Sequence, residues 1–173
     1  MDACPWGITG ILEHSPTGTP LEFFAEKLNP DDANRFKVQI GDAAGQSYWE
    51  ALSILCAIRA WGKFVKDRHV RLKIRTDNMA ALRLAIKLSS KSPLLNGIGA
   101  EIALSLEPYN LEELVAEHVP GKLNVRADTL SRLWAPGGTG TIPDRQLQAC
   151  QRAQATEEGR RLLRDVGLFS FGE

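Results

Sequence analysis

The chain has 173 residues, 43% hydrophobic and 24% charged, which suits one globular domain with a tail and leaves a core that needs neither disulfides nor a structural metal. Basic and acidic residues balance at 21 each, so any attraction for a phosphate backbone has to come from how charge is distributed. Cys4, Cys56 and Cys150 lie far apart with no CxxC and no paired histidine, which argues against a zinc site and a secreted disulfide scaffold. No apolar run approaches the roughly 20 residues that span a bilayer, and no basic-then-apolar leader opens the chain. The expectation is a soluble, intracellular protein in a reducing setting, with no membrane insertion.

Trp6 to His14 and Leu21 to Leu28 read as two strands, joined by the turn chemistry of Ser15-Pro16-Thr17-Gly18-Thr19-Pro20. Residues 29–45 are weakly patterned, with loops marked by Asp31-Asp32 and Gly41-Asp42 and room for one more strand. A helix is expected from Ser47 to Val65, because Ile54, Ile58, Trp61 and Val65 recur at helical spacing and Leu52, Leu55 and Phe64 widen the same face. Val70 to Arg75 alternates strictly and reads as a strand with one buried face. Helices follow at Asn78 to about Leu88 and from Ser92-Pro93 to about Glu107. Leu111 to Val119 is a last strand, stopped by Pro120-Gly121, and Asn124 to Trp134 is the final core helix. The order β-β-(β)-α-β-α-α-β-α implies an α/β fold, a mixed sheet flanked by helices. Residues 1–134 form the domain. Residues 135–173 are a linker, Pro136 to Gly140, and an extension with two short amphipathic helices.

Charge is lopsided. Residues 59–91 carry ten Lys or Arg against Asp67 and Asp77, whereas residues 101–117 carry five Glu and no basic residue. Such a stripe has two readings: a surface for phosphates, or a solvated helix face beside an ordinary half-buried strand.

Four acids, Asp2, Glu50, Asp77 and Asp128, each sit where a strand ends or a helix begins. Each also has a local explanation. Glu50 closes a capping box opened by Ser47. Asp77 could cap a helix. Asp128 lies in the first turn of a helix capped by Asn124, where the dipole favours an anion. Asp2 could belong to a frayed terminus. Against these, Glu50 shares a helix face with Ile54, Ala57 and Trp61, and an inward carboxylate is costly unless compensated. Asp77 ends a half-buried strand, where ligands gather in α/β sheets. Four converging carboxylates repel one another unless hard divalent cations such as Mg²⁺ or Mn²⁺ hold them.

Taken together the motifs are specific: Asp2 followed by Gly7 and Gly10, then Glu50-Ala51-Leu52 opening a helix, then Thr76-Asp77-Asn78, then Pro120-Gly121-x-x-Asn124-x-x-x-Asp128-x-Leu130-Ser131-Arg132. Over residues 2 to about 134 the chain resembles the ribonuclease H domain of retroelement reverse transcriptases, with gypsy-like and DIRS-like elements the nearest in flavour. The resemblance implies a ribonuclease H-like sheet flanked by helices and two Mg²⁺ ions, replaceable by Mn²⁺, on Asp2, Glu50, Asp77 and Asp128. The implied reaction is hydrolysis of the RNA strand of an RNA–DNA hybrid, leaving 3′-hydroxyl and 5′-phosphate ends. Asn78 would then contact the RNA strand. Lys63, Lys66, Arg68, Arg83, Lys87 and Lys91 would track phosphates, and Lys122 would take the place where many such enzymes carry a mobile histidine. His14, His69 and His118 show no catalytic pattern, and His118 is expected on the strand itself.

In that family the first acid ends a central strand, which should precede Asp2. Here only Met1 does, so the first central strand is expected to be missing or truncated, with reverse transcriptase or another chain among the sources that could supply it. Three readings follow: a metal-dependent endoribonuclease, a catalytically retired ribonuclease H-like domain serving as a structural subunit of a larger assembly, and a nucleic-acid-binding module without catalysis. The last is disfavoured because four unneutralised carboxylates weaken phosphate binding.

Overall fold

The structure is a computed structural model that describes residues 1–15, 17–142, 145–153 and 160. It is a mixed α/β fold. Three antiparallel strands, β1 (Asp2–Cys4), β2 (Gly7–His14) and β3 (Thr19–Lys27), pair with Asp2 opposite Thr9 and Gly10 opposite Phe24. β4 (Val70–Thr76) and β5 (Leu111–His118) form a separate parallel pair. A central helix, α2 (Gln46–Val65), packs against both β1 and β2 and against two further helices, α3 (Met79–Lys87) and α4 (Pro93–Leu106).

The expected periodicities account for most of this. Between Trp49 and Ile58 every residue of α2 is buried, so the helix is a spine wrapped on all sides rather than a surface helix with one apolar stripe. In β4 the alternation places Ile74 inward and Arg71, Lys73 and Arg75 outward. The charged face does not stand alone: Arg71 pairs with Glu113, and Lys73 and Arg75 with Glu117. The basic strand and the acidic strand thus neutralise each other across the β4–β5 ladder, and this part of the basic stripe is not a free phosphate surface.

Three expectations are corrected. Residues 29–45 hold no strand; they form α1 (Pro30–Phe36) and a 3₁₀ turn at Ala43–Gly45. The cause is a reciprocal capping box: Asn29 Oδ1 accepts from the Asp32 backbone N–H at 2.9 Å and Asp32 Oδ2 from the Asn29 N–H at 3.0 Å, with Pro30 preset at the first helical position. Asp2 does not stand at a strand end; it opens a strand three residues long. β1 is too short to join β2 to β4, which is why the strands fall into two groups rather than one sheet. The final core helix is α5 (Val125–Ser131), and Arg132–Trp134 tightens into a 3₁₀ turn.

The opposite face of β2 and β3 is covered by α5 and by the chain after the linker. Phe23, Ala25, Leu130, Leu133 and Leu147 form a second apolar cluster there. α6 (Arg145–Gln148) is one turn, and β6 (Gln151–Arg152) adds a parallel rung to β3, covering part of an edge that would otherwise be open. Beyond it Arg160 is buried against Asp32 and donates to the Lys27 carbonyl at 3.2 Å. The rest of the two expected helices of the extension lies outside the described residues.

Gly10 shows how tightly the spine and the sheet approach. A Cβ there would stand 2.5 Å from Phe24 Cε1 and 2.9 Å from Trp61 Cη2, two rings already packed at 5.6 Å between centroids. Gly10→Ala is therefore expected to lower unfolding free energy by about 1–3 kcal/mol, measured by urea denaturation. Unchanged stability would show that the rings have room the structure does not give them.

Candidate metal centre

Three of the four acids meet. Asp2 opens β1, Glu50 sits one turn into α2, and Asp77 follows the last residue of β4; each offers a carboxylate oxygen within 4.8 Å of the other two. Asp2 and Glu50 are almost fully buried, at 4% and 2% exposure, while Asp77 is half-buried. The group is thus open on the Asp77 side and closed on the other.

Local capping does not explain these positions. α2 starts at Gln46 after Gly45, with no side-chain cap, so Ser47 and Glu50 form no capping box. Glu50 instead ties three elements together. Its Oε1 accepts from the Ala3 backbone N–H at 3.2 Å and from Gln46 Nε2 at 3.1 Å, and its Oε2 faces the Thr76 hydroxyl at 3.2 Å. Nor is Asp77 the cap of α3. That role belongs to Asn78, whose Oδ1 accepts from the Ala80 and Ala81 N–H groups, both at 3.0 Å. Asp77 is left facing the turn after β5, where a Cβ on Gly121 would stand 2.9 Å from Asp77 Oδ2. A side chain at that position would press on the carboxylate.

Two residues of the last motif serve Asp2. The Ser131 hydroxyl donates to Asp2 Oδ2 at 2.7 Å, and Asn124 Nδ2 reaches Asp2 Oδ1 and the Met1 carbonyl, both at 3.3 Å. Asn124 stands before α5 but makes no side-chain cap. The sequence showed these residues as motif letters, and their spacing carries no sign of what they hold.

Asp128 does not join the convergent group. It is about 43% exposed in its side chain and accepts from Arg132 Nε at 2.6 Å, an i,i+4 pair on the helix surface. It lies near enough to add to the electrostatic load on Asp2. His118, on β5 as expected, contacts the Asp77 carbonyl through Nε2 at 3.2 Å.

The basic residues separate into two places. Lys63 and Lys66 lie at the far end of α2, roughly 20 Å from Glu50 along the helix axis, and Lys63 pairs with Glu22 at 2.9 Å. Arg83 and Lys87 project from α3, which starts directly after the acids, and Lys91 follows in the α3–α4 connection. All three are exposed, and among the described residues none makes an ion pair. Lys122 is exposed on the turn beside Asp77.

Burial and mutual repulsion set the electrostatics of the group. Burial pushes the Glu50 carboxyl up to about 8, and the neighbouring Asp2 and Asp77 add to the rise. Burial also lifts Asp2 to about 6, opposed by the Ser131 hydroxyl and reinforced by Asp77 and Asp128. Desolvated, mutually repelling oxygens of this kind are hard donors suited to Mg²⁺ or Mn²⁺ and poorly suited to softer metals. Asp2, Glu50 and Asp77 could hold such an ion.

The raised carboxyls set a pH dependence. Between about 4.5 and 8 the folded state keeps a proton on Glu50 that the unfolded chain has released, and Asp2 does the same between 3.8 and about 6. Stability without metal must therefore fall as pH rises through that window. Glu50→Gln, neutral at every pH, is expected to flatten the profile and raise the melting temperature at pH 8, while gaining less than the parent from added Mn²⁺. Thermal melts from pH 5 to 8 check this; identical profiles for the two proteins would contradict it.

No protein-family model, no curated protein and no solved structure matches the chain, so its reading rests on these residues and their geometry.

Proposed function

We propose that the chain is a divalent-metal-dependent endoribonuclease that hydrolyses the RNA strand of RNA–DNA hybrids, as the ribonuclease H domains of retroelement reverse transcriptases do. The observation that carries this reading is the meeting of Asp2, Glu50 and Asp77 within 4.8 Å from three separate elements, in the sequence context that resembles that family. With ions bound, the centre would supply an activated water and a charge-stabilised leaving oxygen.

The chain's own residues have distinct tasks in this scheme. Glu50 and Asp2 are fixed by Gln46, Thr76, Ser131 and Asn124, so the carboxylates need little reorganisation to bind. Asp77, half-buried, is the acid presented to substrate. Arg83, Lys87 and Lys91 offer unpaired charge for the phosphate backbone beside the centre, and Lys122 offers one more beside Asp77. Asn78 Oδ1 is engaged in capping α3, which leaves its amide N–H groups to donate to a 2′-hydroxyl. Lys63 and Lys66 could reach only a hybrid long enough to extend along the whole of α2.

A second reading has an observation of its own. Asp128 is turned to Arg132, outside the convergent group, as would suit a ribonuclease H-like domain retired from catalysis and kept as a structural subunit of a larger assembly. The two readings separate in one assay. The nuclease cuts the RNA strand of a labelled hybrid in Mg²⁺ or Mn²⁺, leaving 5′-phosphate and 3′-hydroxyl ends. Asp77→Asn lowers that rate by roughly a hundredfold or more, the scale on which losing one preorganised charged contact acts, with circular dichroism unchanged. A folded parent chain that cuts no hybrid leaves the retired subunit as the reading.

A further inference from the structure

α4 carries three features that no other described part of the chain accounts for. Its inner face is conventional: Ile98, Gly99, Glu101 and Ile102 are buried. Glu101 is the one charged residue from Ser92 to Leu106, and it pairs with Arg59 of α2 at 2.6 Å. The outer face therefore has no charge. Pro93, Gly97, Ala100 and Leu104 follow one another at spacings of four, three and four, which sets them in one row along the helix. Leu104 on that row is 51% exposed. Asn96, beside the row, is turned back to accept from the Ser90 N–H at 2.5 Å.

The second feature is Gly97. Glycine is the least favourable residue after proline inside a helix, so a mid-helix glycine calls for a close approach that needs it. Gly99 has one: a Cβ there would stand 2.7 Å from the Leu88 carbonyl oxygen. A Cβ on Gly97 would meet nothing within 4 Å, so no described residue fills the notch it leaves. The third feature is the charge at the helix ends. Lys91 stands just ahead of the Ser92 cap and Glu107 is the C-cap; the first turn holds no acid and the last turn no base. Both are exposed, and among the described residues neither makes an ion pair. The helix dipole favours the reverse order, an anion at the start and a cation at the end.

We propose that the outer face of α4 is a homodimer interface, packed against α4 of a second copy of this chain in antiparallel orientation. One register answers all three features. Leu104 and Gly97 share a row, so a two-fold axis midway between them, beside Ala100, seats Leu104 of each copy over Gly97 of the other. The notch at Gly97 lets the two helices approach closely. The same register brings Lys91 of each copy within three residues of Glu107 of the other, about 4.5 Å along the axis, inside the reach of a lysine side chain. Each helix end then receives the charge its dipole favours, and the two dipoles oppose one another. A parallel pair would instead set lysine against lysine and glutamate against glutamate. The face is thus complementary to itself in shape and in charge. Packing through one helix is a small interface, so the dimer is weak, with a Kd on the order of 10–100 µM.

The inference concerns association and does not depend on the nuclease reading; it withdraws Lys91 from phosphates and leaves Arg83 and Lys87 exposed. Sedimentation velocity on the whole chain tests it, and the parent is expected to pass from monomer to dimer between about 5 µM and about 1 mM. Leu104→Glu is expected to raise the Kd about tenfold or more. Gly97→Ala gives two readouts of opposite sign: a higher melting temperature in dilute solution, because alanine suits a helix better, and weaker dimerisation, because the notch is filled. K91E alone is expected to weaken the dimer about fivefold, and K91E combined with E107K to restore it. Leu104, Lys91 and Glu107 are exposed and Gly97 is half-buried, so the variants keep the fold, as circular dichroism checks. A parent chain that stays monomeric at about 1 mM overturns the dimer. A dimer indifferent to Leu104→Glu and Gly97→Ala overturns α4 as its face, and failure of the double reversal to restore binding overturns the antiparallel register.

Discussion

The carboxylate of Glu50 is the joint on which this structure turns. It lies inside the protein on the first turn of the central helix, and its partners come from β1, from α2 itself and from β4. A buried carboxylate that repels two neighbouring acids costs several kcal/mol unless something compensates it. Protonation compensates it, at the cost of the charge. A divalent cation would compensate it and keep the charge. The three acids come from β1, from α2 and from the end of β4, and β1 and β4 have no ladder between them.

The scaffold around the joint divides the labour. α2 carries Glu50 and is buried along most of its length, so the acid cannot swing away without disturbing the core. β4 delivers Thr76 and Asp77 at its carboxyl end, and α3 begins at once with Asn78 as its cap, which frees Asp77 for the centre. α5 returns from the far side of the sheet to present Ser131 to Asp2, with Asn124 just ahead of it. The same return buries Leu130 and Leu133 against Phe23 and Ala25, so the position of the Asp2 clamp is set by apolar packing at a distance from the acids.

Much of this was legible in the residues, for identifiable reasons. α2 follows from helical periodicity and β4 from strict alternation, while α3 and α4 were placed by their starts at Asn78 and Ser92-Pro93. Asn29, Pro30 and Asp32 also carried a helix-start signal, masked by the loop character of Asp31-Asp32 and Gly41-Asp42. The Ser47-to-Glu50 spacing imitated a capping box, but the helix begins earlier and Glu50 turns inward to tertiary partners that no local rule contains. The convergence of Asp2, Glu50 and Asp77 was legible only as a set of motifs. Asn124 and Ser131 act on a residue more than a hundred positions away, which spacing cannot reveal. Asp128 belongs to the same motif, yet its nearest cation is Arg132, a pairing that i,i+4 spacing did offer. The separation of the strands into two groups follows from the three-residue length of β1, a feature of register rather than of composition.

The most direct test of the central claim is calorimetric titration of the protein with Mn²⁺ at pH 7 in two buffers of different ionisation enthalpy. If Asp2, Glu50 and Asp77 close on the ion, binding expels the proton that Glu50 holds below about 8. The observed heat then differs between buffers by an amount corresponding to about one proton released per site filled, and Glu50→Gln removes the difference. Binding with no buffer dependence, or no binding at all, would contradict the account of these acids as a metal centre.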